Sequence, residues 1–213
     1  MSTSKEFRQR AWKRVTGDLG GYLIPFLVLF VGLFVGFAVI GRLLTADFPL
    51  SFVGGILYLL FYLFALLLVM GLSYIYMQKR ERVTSLEDLL YACKHEPALN
   101  LLTVIRASIQ IMLWSCLLMV PGIIKSFSYG MYPYLLMDED MEFEDTGDVI
   151  KTSMAMMDGN KMRLFKLMLS FIGWFILCSF TFGLAYFFVL PYFMAAVVEF
   201  YEEVKESYFG QQS

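Results

Sequence analysis

The chain has 213 residues, of which 59% are hydrophobic and 17% are charged, and its net charge is −2. Soluble domains average roughly 45–50% apolar and 25% charged residues, so this composition argues against a water-soluble fold. The near-neutral balance also gives no indication of nucleic-acid binding, which needs a basic face. The sequence therefore predicts an all-α polytopic membrane protein without a nucleic-acid partner.

The chain opens with a predicted amphipathic helix over residues 4–16. Its apolar stripe consists of Phe7, Ala11, Trp12 and Val15. Lysine and arginine cover the other sides, a pattern typical of a helix lying in the headgroup layer of an anionic leaflet. A basic tail that only sets the membrane topology is the alternative interpretation.

Two apolar runs follow, from about residue 21 to 44 and from 52 to 76, and each is long enough to cross about 30 Å of hydrocarbon. The first run contains Gly32 and Gly36. This GxxxG spacing lets a neighbouring helix approach closely, although glycine is common in membrane helices.

The next segment repeats this order. Thr84 to Glu87 has the pattern of a capping box at the start of a second amphipathic helix. We then predict a span over residues 99–120, a turn at Pro121-Gly122 and a returning span over 123–137.

The last segment has the same plan again. A third amphipathic helix begins at about residue 146 and is predicted to stop at Gly159 in the left-handed region. A span over 164–182, a turn near Gly183 and a returning span to residue 201 complete it.

The predicted architecture is thus a single membrane domain, 1–213, with about six transmembrane helices in three hairpins. A cytoplasmic amphipathic helix precedes each hairpin. The repeated units are residues 4–77, 84–137 and 146–201, followed by a polar tail, 202–213. Because basic residues concentrate on one side of this arrangement, both termini are predicted to be cytoplasmic.

Four polar residues of the predicted spans form a candidate intramembrane pocket: Thr103, Arg106, Gln110 and Glu199. The first three share one helix face, and charges inside a membrane are costly, so each is a functional hypothesis. We expect Arg106 and Glu199 to lie near each other. The alternative is that Arg106 reaches the inner headgroups and Glu199 reaches water.

Two proline–tyrosine pairs occupy related positions in the returning spans of the second and third units: Pro133-Tyr134 and Pro191-Tyr192. Proline bends a spanning helix, so these positions are candidate kinks that line a cavity. Ordinary packing of the tyrosines is the alternative.

No metal or cofactor is predicted. The acidic run from Asp138 to Asp145 lacks the glycine and the spacing of an EF-hand, which favours a solvated loop over a divalent-cation site. His95 is the only histidine, and the three cysteines lie far apart without ligand spacing.

The segment from Ser153 to Lys161, the run Leu164–Trp174, and the pairs Pro191-Tyr192 and Phe200-Tyr201 carry a family resemblance. Here the chain resembles an uncharacterised family of bacterial integral membrane proteins, catalogued as domain of unknown function nine-seven-five. The resemblance implies a multi-pass protein of the bacterial cytoplasmic membrane and supplies no activity. The layout is also distantly similar to the membrane domain of some glycerophosphodiester phosphodiesterases, whose hydrolase domain this chain lacks.

No catalytic motif is found in the sequence, so we do not expect an enzyme. The first hypothesis is a non-enzymatic membrane accessory or structural protein, with the anionic inner leaflet and a membrane protein or a second copy as partners. The alternative is a small transporter or lipid-handling protein with a polar pocket around Arg106, Gln110 and Glu199.

Overall fold

The computed structural model describes residues 2–45, 47, 50–78, 85–181 and 183–210. In this part of the chain all regular structure is helical. The α-helices are α1 (Ser4–Gly17), α2 (Leu19–Leu44), α3 (Leu50–Gln78), α4 (Tyr91–Lys94), α5 (Pro97–Leu117), α6 (Met119–Tyr129), α7 (Tyr132–Leu136), α8 (Thr146–Met156), α9 (Lys161–Phe180) and α10 (Tyr186–Phe209). A 3-10 helix, Leu86–Leu90, precedes α4.

Within the described residues, four helical segments are long and apolar enough to cross a membrane: Leu19–Leu44, Ser51–Gln78, Pro97–Cys116 and Lys161–Phe180. The six predicted spans are therefore not confirmed. The predicted span over 123–137 divides into the short helices α6 and α7. Helix α10 has 24 residues but carries several charges in its C-terminal half, so it is not among the four.

Local signals placed several helix ends. Asp145 caps α8 by accepting a hydrogen bond from the Gly147 N–H at 2.8 Å. Gly159 and Gly183 have φ values of 73° and 86°, in the left-handed region that favours glycine, so the two predicted turns lie where expected.

The predicted capping box at Thr84 lies outside the described residues; within them, Ser85 and Asp88 form a capping box at the start of the 3-10 helix. The predicted turn at Pro121-Gly122 is wrong, because the chain breaks at Leu118, which is extended. Pro121 lies in the first turn of α6, where its missing N–H has no helical partner to lose.

The sequence predicted that the apolar stripe of α1 faces lipid, but most of this stripe packs against the protein. Phe7, Ala11 and Val15 are buried against the protein. The Phe7 ring lies 5.6 Å from that of Phe200, and the Trp12 ring lies 5.5 Å from that of Phe188, so α1 runs antiparallel to α10. The stripe is covered by α10 because that helix offers it apolar partners inside the protein.

The three leading helical segments pack in a related way. Helix α1 packs on α10, the 3-10 helix and α4 pack on α3, and α8 packs on α7. Each leading segment of a predicted unit thus lies against the returning segment of another. The stacked rings of Tyr74 and Tyr91, 3.7 Å apart, mark the second of these contacts.

The main apolar core is shared by most of the helices, with α3, α7 and α10 among them. The rings of Tyr134 and Tyr201 stack in it at 5.4 Å. By contrast, much of the surface of α2 and the first half of α3 is apolar and exposed.

Candidate functional site

Arg106 lies on α5 where that helix packs against α8. Its Nη1 donates a hydrogen bond of 2.8 Å to Thr146 Oγ1 and lies 4.0 Å from Asp145 Oδ2. The Arg106 side chain is 47% exposed on the surface of the protein. Arg106 therefore fastens the beginning of α8 to the middle of a candidate span.

Thr103 and Gln110 share the predicted face with Arg106. Thr103 is fully buried, and its hydroxyl oxygen has no hydrogen-bond partner among the described residues. The buried amide oxygen Oε1 of Gln110 likewise has none. A buried polar atom without a partner costs about 1–3 kcal/mol, so these two atoms require an explanation.

Glu199 is buried, with 3% exposure, and its partners come from α1. The Arg14 guanidinium contacts Oε1, and Arg10 Nη1 lies 3.9 Å from Oε2. Arg106 contacts α8 instead. The two predicted pocket residues thus have separate partners, and their expected proximity stays a prediction.

Sequence reasoning missed this α1–α10 ion network. Arg10 and Arg14 are four residues apart, and so are Glu199 and Glu203, which puts each pair on one helix face. Arg10 Nη2 lies 3.5 Å from Glu203 Oε2. The matched spacing of opposite charges on two antiparallel helices was the available signal.

The proline–tyrosine pairs have different surroundings. Pro133 lies in the first turn of α7 and so starts a helix rather than kinking one, whereas Pro191 is inside α10. Tyr134 packs in the core. Tyr192 donates from its hydroxyl to the Arg8 carbonyl oxygen at 3.1 Å and lines a surface groove.

This groove, of about 560 Å³, lies where α1 meets α9 and α10. We call it the basic groove. It is lined by Lys5, Arg8, Gln9, Trp12, Lys13, Trp174 and Tyr192. Three cationic and three aromatic side chains therefore share one concave surface, and no carboxylate from the described part of the chain lines it.

The acidic run is partly structural. Asp138 is 8% exposed, accepts a hydrogen bond of 2.6 Å from the Tyr201 hydroxyl and lies 2.7 Å from Lys205 Nζ. Hydrogen bonding and charge from Lys205 also lower the pKa of the Asp140 carboxyl. In the described part of the chain, no group of three His, Cys, Asp or Glu residues is placed to hold a metal ion.

Residues 116–208 match the family model described as "Protein of unknown function (DUF975)". This is the family that the sequence resembles. The family resemblance is thereby confirmed, whereas the phosphodiesterase likeness stays a prediction. The chain matches no curated protein. It also matches no solved structure.

The DUF975 match begins in the last turn of α5 and ends within α10. It contains Glu199 and both proline–tyrosine pairs but not Arg106. Helix α1, which supplies the cations around Glu199, also lies outside it. The DUF975 region therefore receives part of its charge pairing from a segment beyond the match.

Proposed function

We propose that this protein is a non-enzymatic accessory or structural component of the bacterial cytoplasmic membrane that acts through lipid and protein contacts. The observation that carries the proposal is the outer half of the α2–α3 hairpin. There α2 and α3 pack on each other, with Phe61 against Gly36 and Leu43 against Gly54. Their outward side chains stay exposed, among them Phe34 at 67%, Val39 at 63% and Phe52 at 64%.

A surface with this many large, exposed apolar side chains is typical of a membrane-facing or partner-facing region. The polar chemistry supports the same proposal. Glu199, Glu203 and Asp138 are paired with cations and hydroxyls of the protein and join its segments. Carboxylates that are paired in this way are poorly placed to act on a substrate.

Both termini are proposed to face the cytoplasm. The asymmetry of basic residues supports this orientation, and so does a contact between the two ends of the chain. The Ser2 N–H donates to Glu203 Oε1 at 2.8 Å, which places the beginning of α1 beside the end of α10. Cysteines introduced at Lys151 and Glu206 should resist a membrane-impermeant maleimide in intact cells. Labelling of either one from outside would contradict the orientation.

Site-specific photo-crosslinking in native membranes tests the main proposal. A photoreactive residue at Phe34 or at Phe52 should give the same discrete protein adduct together with lipid adducts. Met162 is a matched control, because it is 60% exposed but lies on α9, away from the hairpin. Lipid adducts alone at all three positions would remove the protein partner from the proposal, and turnover of a substrate by the purified chain would overturn its non-enzymatic character.

A second function, transport or lipid handling, is favoured by the buried Thr103 Oγ1 and Gln110 Oε1, which have no partner in the described part of the chain. These atoms lie on a candidate span beside Arg106. The pocket would not include Glu199, whose charge is matched by α1. In reconstituted vesicles, transbilayer movement of a labelled phospholipid that is lost in Gln110→Leu and kept in Lys151→Gln would favour this function. Equal rates with and without protein would rule it out.

A further inference from the structure

The basic groove differs from the ion network on the opposite side of α1. Arg10 and Arg14 have carboxylate partners on α10. No carboxylate of the described residues lies within salt-bridge distance of Lys5, Arg8 or Lys13. Helix α1 thus carries two sets of cations. Arg10 and Arg14 are paired with carboxylates, whereas the lysines and the arginine of the basic groove are not paired with any described carboxylate. The second set lines a cavity, so that cavity attracts anions.

Arg8 is held in place within this groove. Its Nη1 donates to the carbonyl oxygen of Ser170 on α9 at 3.0 Å, and its own carbonyl oxygen accepts from Tyr192. Its Nε is buried and has no acceptor among the described residues. A guanidinium that is already ordered loses little further freedom on binding, and the N–H donors that the protein leaves unused suit an anionic oxygen.

The aromatic walls of the groove and its apolar surroundings favour the phosphate of a lipid headgroup over other anions. The Trp12 and Trp174 rings are 6.3 Å apart, and the Tyr192 ring lies 5.5 Å from that of Trp12. Tryptophan and tyrosine concentrate at the level of the lipid headgroups. One turn beyond Trp174 on the same face of this candidate span, Leu177 exposes 47% of its surface, which offers apolar contact to acyl chains.

We propose that the basic groove binds the phosphate of an anionic phospholipid, with Arg8 as the principal phosphate ligand and Lys5 and Lys13 as flanking cations. This proposal rests on the lipid contacts of the proposed function and assigns them a defined site. Arg8 lines the groove and donates to Ser170 from Nη1, so its guanidinium keeps further N–H donors for a phosphate oxygen.

Two of the three tryptophans line the groove, so the full-length chain in detergent carries its own reporter. In a Trp114→Phe background, brominated phosphatidylglycerol should quench the remaining fluorescence at a lower lipid fraction than brominated phosphatidylcholine. Removing a charge-assisted phosphate contact costs about 1.5–3 kcal/mol, so Arg8→Gln should weaken the phosphatidylglycerol interaction by roughly tenfold or more.

Lys13→Gln removes an exposed cation of the groove and provides a second test if Arg8→Gln lowers folded yield. Lys151→Gln removes the same charge on the exposed surface of α8 and should leave quenching unchanged. Equal quenching by the two lipids, or equal losses in Lys13→Gln and Lys151→Gln, would overturn the site. Displacement of the lipid by inorganic phosphate at the same concentration would overturn its assignment to a phospholipid.

The outcome is separable from that of the proposed function. If Arg8→Gln keeps the full lipid preference while the hairpin still gives its protein adduct, only the groove assignment fails. If the lipid preference depends on Arg8 but the hairpin gives no protein adduct, the groove stands and the protein-partner part of the proposed function fails.

Discussion

Arg163 Nη2, at the beginning of α9, donates a hydrogen bond of 2.5 Å to Glu203 Oε1 near the end of α10. The backbone N–H of Ser2 donates to the same oxygen at 2.8 Å. Burial by itself raises the pKa of the Glu203 carboxyl, but the hydrogen bonds from Ser2 and Arg163 outweigh it and lower the pKa from 4.5 to about 2. One carboxylate thus joins three segments that are distant in the sequence.

This lowered pKa predicts a pH dependence of stability. A carboxyl whose pKa is lower in the folded state stabilises the protein fully above its unfolded pKa, and the contribution is lost as the pH falls. The window is therefore from about pH 4.5 down to about 2. Thermal midpoints in detergent should fall more steeply across this window for the wild type than for Glu203→Gln. Parallel curves for the two proteins would contradict the assignment.

The buried Glu199 predicts a strong effect of removing its cation. Arg14→Gln should lower the free energy of unfolding by about 3 kcal/mol, because an uncompensated carboxylate would stay buried. Arg10, whose Nη1 lies 3.9 Å from Glu199, limits the loss. The double variant Arg14→Gln/Glu199→Gln should recover at least about 1 kcal/mol, since it removes both charges.

A double-mutant cycle by denaturant titration measures this coupling. Lys151→Gln is the reference, because its pair with Asp148 is exposed on both sides and should change stability by less than about 0.5 kcal/mol. An additive double variant would show that Arg14 and Glu199 do not stabilise each other.

The buried hydroxyl of Ser153 stabilises the break between α6 and α7 by bonding two backbone groups there. Its Oγ donates to the Ser128 carbonyl oxygen at 3.1 Å and accepts from the Met131 N–H at 3.3 Å. Ser153→Ala should destabilise the protein by about 1–3 kcal/mol, because two buried backbone groups lose their partner. Ser126→Ala is the matched control, since that hydroxyl bonds only within its own helix, and equal thermal shifts would refute the role.

Gly71 lies where α3 closely approaches the 3-10 helix, so we expect that a larger residue does not fit at this position. A Cβ at this position would overlap the Leu89 carbonyl oxygen, which is backbone and cannot move aside as a side chain can. Gly71→Ala should therefore cost about 1–3 kcal/mol through overpacking. Gly32→Ala is the control, because nothing lies within 4 Å of its added Cβ and alanine favours the helix. Thermal midpoints that shift equally would argue against this close approach.

The sequence was informative wherever a local signal decides the structure. Helix α1 begins at Ser4 as expected because Thr3 and Glu6 form a capping box, and Gly159 and Gly183 turn the chain through their positive φ values. The four apolar segments that qualify as candidate spans were also predicted, since length and hydropathy are properties of each segment alone.

What the sequence did not reveal depends on contacts between distant segments. Residues 123–137 are mostly apolar and give no clear sign of a break, and the break near Met131 is stabilised by Ser153 of the following unit. In the same way, the stripe of α1 suits a lipid surface as well as it suits α10. A pattern of apolar positions predicts that a face is buried but does not say against what.

The antiparallel packing of α1 on α10 has a consequence for biogenesis. Helix α1 leaves the ribosome before α10, so the surface that covers Phe7 is translated after a delay on the order of ten seconds at typical elongation rates. Until α10 is made, the apolar and basic surface of α1 is free to bind the membrane surface. Helix α10 must therefore displace whatever covers the apolar stripe of α1 before the two helices can pack.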